Sequence, residues 1–451
     1  MEIILNNKNH NLNNYEKTLK IIKNTIEKCS EFNLKKDEYM KRVLYQDEDR
    51  YLINLLEENI IVGFGVDNEN DALVEYISSP LKKNTSIEKL ELNNNVISEF
   101  GGEIISEILK VNNTIKKLSL NNTKIERSVR YLFNVLKLNN SLQDLYLESN
   151  NINNDDLKYL CDALALNNSM EILNLNFNNI DNEGLMNLCQ VLKNNNSLKK
   201  LYLNSNKIVE NCGIYIADML KTNKSIETLD IGHNKLNYED FEHICNALKK
   251  NNTMKELKLS NISMDYRIVK CIADMLLMNN SIKILYLCRN NINEISIDNL
   301  SKALIKNNSL QELYLSNNNI NDPGTELLSK ALISNNSLKI LNIDNNGIDS
   351  SVKNISQMLT TNKSITKLYM SNNKIGDEGA EYLSKAIEHN KSIVHILLEN
   401  NPITDIGALK LIKAVMNNKK ILVFGIRSDK MSDKIEDEFN KMEYELFNRD
   451  Y

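Results

Sequence analysis

The sequence of 451 residues predicts an α/β solenoid shaped like a horseshoe, with a parallel β-sheet on the concave face, α-helices on the convex face and helical caps at both ends. Two observations predict this fold. One apolar template recurs every 27 or 28 residues, and the second half of each unit spaces its apolar residues three and four positions apart. Because neighbouring strands lie about 4.8 Å apart and helices need about 10 Å, stacked units must curve.

The first half of each unit predicts a short strand. Segments such as SLQELYLSNNNI from Ser309 and SLKKLYLNSNKI from Ser197 contain the alternation L-x-L, which places two leucines on one face and the residue between them on the other. An Asn follows the strand in nearly every unit, with Thr123 and Ile262 as the departures. We expect this Asn to satisfy backbone groups where the strand ends.

The second half of each unit predicts an amphipathic helix, as in DDLKYLCDALALNN from Asp155. Its acidic start suits a helix N-terminus and its Asn-rich end suits a C-terminal turn. A small residue recurs on this helix, and in three units it is Cys161, Cys189 or Cys245. We expect these thiols to be packing groups, since the seven cysteines contain no C-x-x-C pair.

The template L-x-x-L-x-L-x-x-N-x-I, in a helical unit of 28 residues, resembles the leucine-rich repeats of the ribonuclease inhibitor subclass. It is also similar to the repeat arrays of NOD-like receptors, as in NKSITKLYMSNNKIGDEGAEYLSKAIEHNKSI from Asn362. The resemblance implies the horseshoe fold, a shape that the family uses for many partners. The phosphate-binding motif G-x-x-x-x-G-K-[ST] does not occur, so the sequence does not predict the nucleotide-binding domain of those receptors.

The sequence predicts four regions. Residues 1–13 are expected to be a disordered Asn-rich tail, 14–83 a helical N-terminal cap with a degenerate repeat, 84–420 the repeats, and 421–451 a cap strand followed by an amphipathic helix. Caps are expected because the open ends of a solenoid expose apolar surface. The C-terminal helix has Ile435, Phe439, Met442 and Leu446 on one face, which we expect to cover the last repeat.

Composition and charge argue against several classes of function. The net charge is -5 and the charges are spread along the chain, so no basic stripe, and no nucleic-acid partner, is predicted. No apolar run approaches the ~20 residues of a membrane-spanning helix, and the N-terminus has no signal-peptide pattern. We therefore expect no membrane association and a location in the cytoplasm, with the nucleus possible.

Motifs for chemistry are missing as well. The five histidines, His10, His233, His243, His389 and His395, lack zinc-site spacing. The sequence therefore predicts no metal, no cofactor, no catalytic residue and no enzyme, and we expect a monomer.

The residue between the two strand leucines should point into the concave face. It is Tyr in five units: Tyr146, Tyr202, Tyr286, Tyr314 and Tyr369. One explanation is structural, because Tyr suits strands and Tyr286 and Tyr314 would stack as a cross-strand pair. The other is functional: the tyrosines, with Phe177, His233 and Arg289 on the adjoining loop ends, would anchor a protein partner.

The function predicted from the sequence is a non-enzymatic protein-binding module or scaffold that recognises a protein partner of unknown identity through its concave sheet. One alternative is a Ran-type GTPase-activating protein, whose repeats are similar. That family tends to have irregular longer repeats and an acidic tail, whereas the spacing here is uniform and EDEFNKMEYELFNRDY reads as an amphipathic helix. A second alternative is a structural subunit of a large assembly, such as an axonemal complex.

Overall fold

The computed structural model describes residues 2–5, 51–54, 59–63 and 70–449. The chain forms two compact units, Met1–Asp230 and Ile231–Tyr451, which are called here the N-terminal unit and the C-terminal unit. Strands and helices alternate in both units, with a buried leucine or another large apolar residue at the centre of each three-residue strand.

The N-terminal unit contains β1 (Glu2–Leu5), β2 (Tyr51–Asn54), β3 (Asn59–Gly63), α1 (Asn70–Lys83), β4 (Lys89–Glu91), α2 (Glu99–Val111), β5 (Lys117–Ser119), a 3-10 turn (Glu126–Ser128), α3 (Val129–Leu136), β6 (Asp144–Tyr146), α4 (Asn154–Leu164), β7 (Ile172–Asn174), α5 (Asn182–Leu192), β8 (Lys200–Tyr202), α6 (Gly213–Thr222) and β9 (Thr228–Asp230). Strands β3 to β9 are parallel and lie in chain order.

The C-terminal unit contains α7 (Tyr238–Leu248), β10 (Glu256–Lys258), α8 (Tyr266–Leu276), β11 (Ile284–Tyr286), α9 (Glu294–Lys306), β12 (Glu312–Tyr314), α10 (Asn321–Ser334), β13 (Ile340–Asn342), α11 (Val352–Thr361), β14 (Lys367–Tyr369), α12 (Asp377–His389), β15 (His395–Leu397), α13 (Asp405–Asn417), β16 (Val423–Gly425) and α14 (Asp433–Phe447). Its strands are also parallel and pair in register, so that Leu285 lies opposite Leu313 and Leu313 opposite Leu341. The predicted α/β solenoid is therefore confirmed.

The core of each repeat lies between the strand and its helix. In one repeat of the C-terminal unit, Leu313 and Leu315 from the strand segment and Leu328 and Leu332 from α10 are all buried. Several helices start at a residue whose side chain caps the helix N-terminus. Asn153, for example, accepts hydrogen bonds from the backbone N–H groups of Asp155 and Asp156 at the start of α4.

The Asn that follows each strand has the role expected from the sequence, and it also joins neighbouring repeats. Nδ2 of Asn318 donates to the carbonyl of Leu315 at 2.8 Å and to that of Leu287, one repeat earlier, at 3.0 Å. Its Oδ1 accepts from the backbone N–H of Asn290 at 2.9 Å. Where Thr123 replaces this Asn, its hydroxyl still donates to the carbonyl of Leu120 at 2.9 Å.

The N-terminal flank differs from the sequence expectation at two places. Strand β1 occupies part of the region expected to be a disordered tail, and β2 part of the region expected to be helical. The segment EIIL of β1 is rich in Ile, which favours strands, and pairing with β3 gives its backbone hydrogen-bond partners. Residues 6–50, with His10 and most of the expected helical cap, lie outside the described residues.

The C-terminal end is built from β16 and α14. Ile435, Phe439, Met442 and Leu446 of α14 are all buried, and the ring of Phe439 lies 6.4 Å from that of Phe424 in β16. These are the four apolar residues that the sequence places on one helix face.

None of the helices in the described ranges combines the length and the apolar character that crossing a membrane demands. The cytoplasmic or nuclear location expected from the sequence stays a prediction.

Candidate partner-binding surface

In the three-residue strands β4 to β16, the last residue lies on the face of the sheet opposite to that of the buried central residue. In the C-terminal unit the pairing places Lys258, Tyr286, Tyr314, Asn342 and Tyr369 in one row across five strands. The three tyrosines are half-buried, whereas the leucines before them are fully buried. The row is therefore a partly exposed polar and aromatic surface on a rigid sheet.

Tyr286 and Tyr314 are in direct contact. Their ring centroids are 4.3 Å apart and the rings are nearly parallel, at 3°. Lys258 lies over the other side of the Tyr286 ring, with Nζ 5.0 Å from the centroid, and 3.2 Å from Glu256. The Tyr314 hydroxyl donates to Oε2 of Glu312 at 2.8 Å. The structural explanation, that the two rings stack across strands, thus describes the observed geometry.

Burial raises the pKa of both hydroxyls above the ordinary value for Tyr. For Tyr314 the hydrogen bond to Glu312 raises the pKa further, because a nearby carboxylate opposes a negative charge on the phenol. Both hydroxyls therefore stay protonated at neutral pH and can act as hydrogen-bond donors.

Tyr369 is separated from Tyr314 by Asn342 and belongs to a more acidic part of the same face. Burial, and then the charges of Asp344 and Glu312, raise the pKa of Tyr369. The Asp344 carboxylate accepts from the backbone N–H of Ser371 at 2.6 Å, and burial raises its pKa too.

Glu399 extends this acidic part and Gly425 lies beside it, and no pattern in the sequence singles out either residue. Oε2 of Glu399 accepts from the Ser371 hydroxyl at 2.6 Å. A Cβ atom added to Gly425 would overlap the Glu399 carboxylate. Glycine in β16 therefore leaves the space that this carboxylate occupies.

In the N-terminal unit the tyrosines of the same row stand apart. Asn174 on β7 separates Tyr146 on β6 from Tyr202 on β8. Nζ of Lys117 lies 5.0 Å above the Tyr146 ring and 2.6 Å from Oε1 of Glu91. Burial, and then the charge of Asp144, raise the pKa of Tyr146. Both rings are half-buried.

Phe177, His233 and Arg289 occupy one equivalent position in their repeats, directly before the template Asn. All three are exposed and have positive φ, at +54°, +52° and +58°. Asn or Ser occupies this position in the other repeats, in residues such as Asn94, Ser149, Asn317, Asn345, Asn372 and Asn400. A left-handed backbone costs most residues roughly 1 to 2 kcal/mol, whereas Asn tolerates it.

Large side chains at these strained positions are unusual, and strain of this kind clusters at functional sites. The sequence did not reveal the strain, because nothing in it shows the backbone angle of this position. His233 is held by its neighbour, since its Nδ1 lies 2.8 Å from Nδ2 of Asn261. Phe177 lies in the N-terminal unit, whereas His233 and Arg289 lie in the C-terminal unit.

The cysteines that the sequence assigned to packing are buried. Burial raises the pKa of Cys161 to about 12, and it raises the pKa of Cys189 and Cys245 as well. These thiols are therefore protonated at neutral pH, which makes them poor nucleophiles. Across the ranges that the structure describes, no group of three or more His, Cys, Asp or Glu side chains could hold a metal ion.

Comparison with known proteins identifies the repeats. The profile of the leucine-rich repeat family matches residues 138–161, 166–189, 306–329 and 361–384. These four segments are thus leucine-rich repeats. A search of curated proteins finds no significant match.

Two solved structures are similar to this chain at low sequence identity. A chain of the Rad7 and Elc1 complex of yeast is 18% identical, with a TM-score of 0.51, over 76% of this chain and 86% of that one. An internalin, InlF, of Listeria monocytogenes is 19% identical, with a TM-score of 0.39, over 82% of this chain and 86% of that one. The likeness to the yeast chain shows the fold alone.

Proposed function

We propose that this leucine-rich repeat protein is a non-enzymatic protein-binding module, which recognises a protein partner through the exposed face of its sheet. The observation that carries the proposal is the stacked pair Tyr286 and Tyr314, half-exposed on that face. Tyr is enriched among the residues that dominate binding energy at interfaces, because it offers a large apolar ring together with a hydroxyl.

The pair is already fixed before a partner arrives. The Tyr314 ring is held by Tyr286 on one side and by its hydrogen bond to Glu312, and the Tyr286 ring lies between Tyr314 and Lys258. Ordering a free side chain on binding costs about 0.5 to 1.5 kcal/mol, so anchors that are ordered in advance bind at a smaller entropic cost. The stacking that stabilises the sheet therefore also favours binding.

The strained positions support the same face. Arg289 lies three residues after Tyr286, at the end of the same strand segment, and its exposed side chain is held at a backbone angle that Asn would adopt more easily. A residue that costs stability and gives no core packing is better explained by an external contact. We include Phe177, Tyr146, Tyr202 and Tyr369 in the proposed binding set as well.

We also propose that the repeats belong to the ribonuclease inhibitor-like subclass. The supporting observations are the repeat length of 27 or 28 residues and the full α-helix that follows nearly every strand.

The test is affinity capture from native lysate with the immobilised protein, followed by mass spectrometry. The variant Tyr286→Ala/Tyr314→Ala removes both rings, and Tyr266→Ala is the control because Tyr266 is exposed on helix α8. We expect one partner to be captured by the wild type and the control and to be lost, by at least about tenfold, with the double variant. Equal capture by a folded double variant would refute the proposed surface.

A further inference from the structure

The C-terminal unit has a second distinctive surface, at the edge where each helix ends and the next strand begins. The segments that join helices to strands there carry many lysines: Lys249, Lys250, Lys255, Lys283, Lys306, Lys339, Lys363, Lys391, Lys419 and Lys420. Acidic residues are fewer at this edge: Asp274 and Glu388 lie in the last turns of α8 and α12, and Glu256 and Glu312 begin strands β10 and β12. We call this surface the basic edge.

Central lysines of the basic edge have no carboxylate partner. Within the described part of the chain, Lys250, Lys283, Lys306 and Lys339 form no ion pair, although other basic residues of this unit do. Nζ of Lys339 donates to the Gln311 side chain at 3.2 Å and Nζ of Lys283 to the Asn280 carbonyl at 3.4 Å. The basic edge therefore carries uncompensated positive charge.

Large apolar side chains are exposed beside these lysines in three consecutive repeats. Leu277 and Met278, at the end of α8, are 44% and 64% exposed, and Ile305 of α9 and Ile333 of α10 are 50% and 39% exposed. A groove of about 480 Å³ beside them is lined by Met278 and Lys283 together with lysines from the end of α7. Apolar and basic side chains thus alternate on one surface.

The helix dipole accounts for only part of this arrangement. Lysines at helix C-termini are favoured by the dipole, and the N-terminal unit has them too. There, however, Lys199 lies 2.8 Å from Glu171 and Lys137 lies 3.5 Å from Asp162. The dipole is the same in both units, so it does not explain why Lys283, Lys306 and Lys339 lie beside exposed apolar residues without a carboxylate partner.

We propose that the basic edge binds an acidic amphipathic helix of a partner protein. Packed helices lie about 8 to 10 Å apart, so the exposed apolar residues recur at that interval from repeat to repeat. A helix that lies across them advances about 10 Å in seven residues. Apolar residues at every seventh position would then meet Met278, Ile305 and Ile333 in turn, and flanking carboxylates would meet Lys283, Lys306 and Lys339.

This surface is separate from the tyrosine row, so it does not depend on the function proposed above. The exposed apolar residues beside the lysines favour a protein helix over a free phosphate group or the backbone of a nucleic acid. The test therefore includes lipid and DNA as competing ligands.

The probe is a fluorescein-labelled peptide of about three heptads, with leucine at every seventh position, glutamate beside each leucine and alanine elsewhere. Binding is measured by fluorescence anisotropy at about 50 and 200 mM salt. We expect Met278→Glu/Ile305→Glu and Lys283→Glu/Lys306→Glu each to weaken binding at least about tenfold, and higher salt to weaken binding to the wild type.

Leu138→Glu/Leu166→Glu is the matched control, because these residues occupy the Met278 position of two N-terminal repeats and are 73% and 64% exposed. It should bind the peptide like the wild type, as should Tyr286→Ala/Tyr314→Ala, which separates this result from the test of the tyrosine row. Absence of peptide binding, or equal binding by the basic-edge variants, overturns the proposal. Tighter binding to phosphatidylserine vesicles or duplex DNA, lost in the lysine variant, overturns it too.

Discussion

The two units of the chain share one repeat design and differ at the positions that the design leaves free. In the N-terminal unit, Tyr146 and Tyr202 are separated by Asn174, whereas in the C-terminal unit Tyr286 and Tyr314 are adjacent and stack. At the helix-to-strand edge, Lys199 is paired with Glu171, whereas Lys283 has no carboxylate partner. The side chain found at one position of a neighbouring repeat thus decides whether a tyrosine stacks or a lysine forms an ion pair.

This difference teaches where specificity is encoded in a repeat protein. The template leucines are buried in both units and the strands pair in the same register, so the scaffold tolerates change on its surfaces. The C-terminal unit differs on its surfaces: it has a stacked pair of tyrosines on the sheet and, along the basic edge, lysines without carboxylate partners.

The largest effect is expected where the two units are alike. Leu145→Ala and Leu313→Ala each remove a fully buried leucine from the centre of a strand, in the N-terminal and the C-terminal unit respectively. We expect each to lower the free energy of unfolding by roughly 2 to 5 kcal/mol, through lost burial and a residual cavity. Urea denaturation followed by circular dichroism measures both values.

The two leucine variants test whether the units share one core. A cost below about 1 kcal/mol for one leucine alone would show that the repeat packs differently in that unit. The comparison between the units would then no longer be one of surfaces only.

An intermediate effect is expected from the tyrosine rows. In a double-mutant cycle, Tyr286→Ala and Tyr314→Ala should show a coupling free energy of about 0.5 to 1.5 kcal/mol, because the rings are in contact. Tyr146→Ala and Tyr202→Ala should be additive, since two strand spacings of about 4.8 Å separate them. An equal coupling free energy in both units would show that contact between the two rings is not its source.

Much of the fold could be predicted from the sequence, because the template repeats the same local pattern many times. The period of two in L-x-L and the spacing of three and four in the helices are local signals, and the strand-end Asn is visible as a recurring letter. The five tyrosines were identified for the same reason. The hydrogen bonds between residues about one repeat apart could not be predicted from the sequence.

The Asn at each helix end is the clearest case. The sequence suggests only a turn residue with local hydrogen bonds. In the structure Nδ2 of Asn335 donates to the carbonyls of Leu304 at 2.7 Å and Asn307 at 3.1 Å, in the preceding repeat. Its Oδ1 accepts from the backbone N–H groups of Ser337 and Leu338. A second asparagine ladder therefore joins the repeats, 31 and 28 residues apart along the chain.

After Asn418, the last asparagine of this ladder, the equivalent position is Leu446, and Arg449 bonds to the repeat instead. Its guanidinium donates to the carbonyls of Asn418 at 3.1 Å and Ile421 at 3.0 Å. At the end of the array, an arginine side chain thus donates to the backbone carbonyls of the last repeat, as an Asn does in the other repeats. The basic edge was missed for a similar reason: lysines spread evenly along the sequence are brought to one edge by the repeat.

The smallest expected effect comes from the links between the starts of neighbouring helices, where the units again differ. Asn154 in the N-terminal unit and Asp322 in the C-terminal unit occupy the same repeat position, and both accept a hydrogen bond from the backbone of the next repeat. Partial burial opposes the charge of Asp322, but hydrogen bonds from the segment Asp349–Ser351 outweigh it and lower its pKa from 3.8 to about 2.

Because the folded-state pKa of Asp322 is the lower one, its ionised form stabilises the fold above about pH 4, and this contribution is lost as the pH falls towards 2. Asp322→Asn should therefore lower the free energy of unfolding at pH 7, by less than about 1 kcal/mol since the carboxylate is only partly buried and solvent screens its interactions. Near pH 2 the variant and the wild type should be equally stable. Urea denaturation at both pH values measures the two free energies of unfolding. If the variant is still less stable than the wild type at pH 2, the loss comes from altered geometry and not from the charge. Asp322 would then stabilise the fold in the same way as Asn154, whose amide does not titrate.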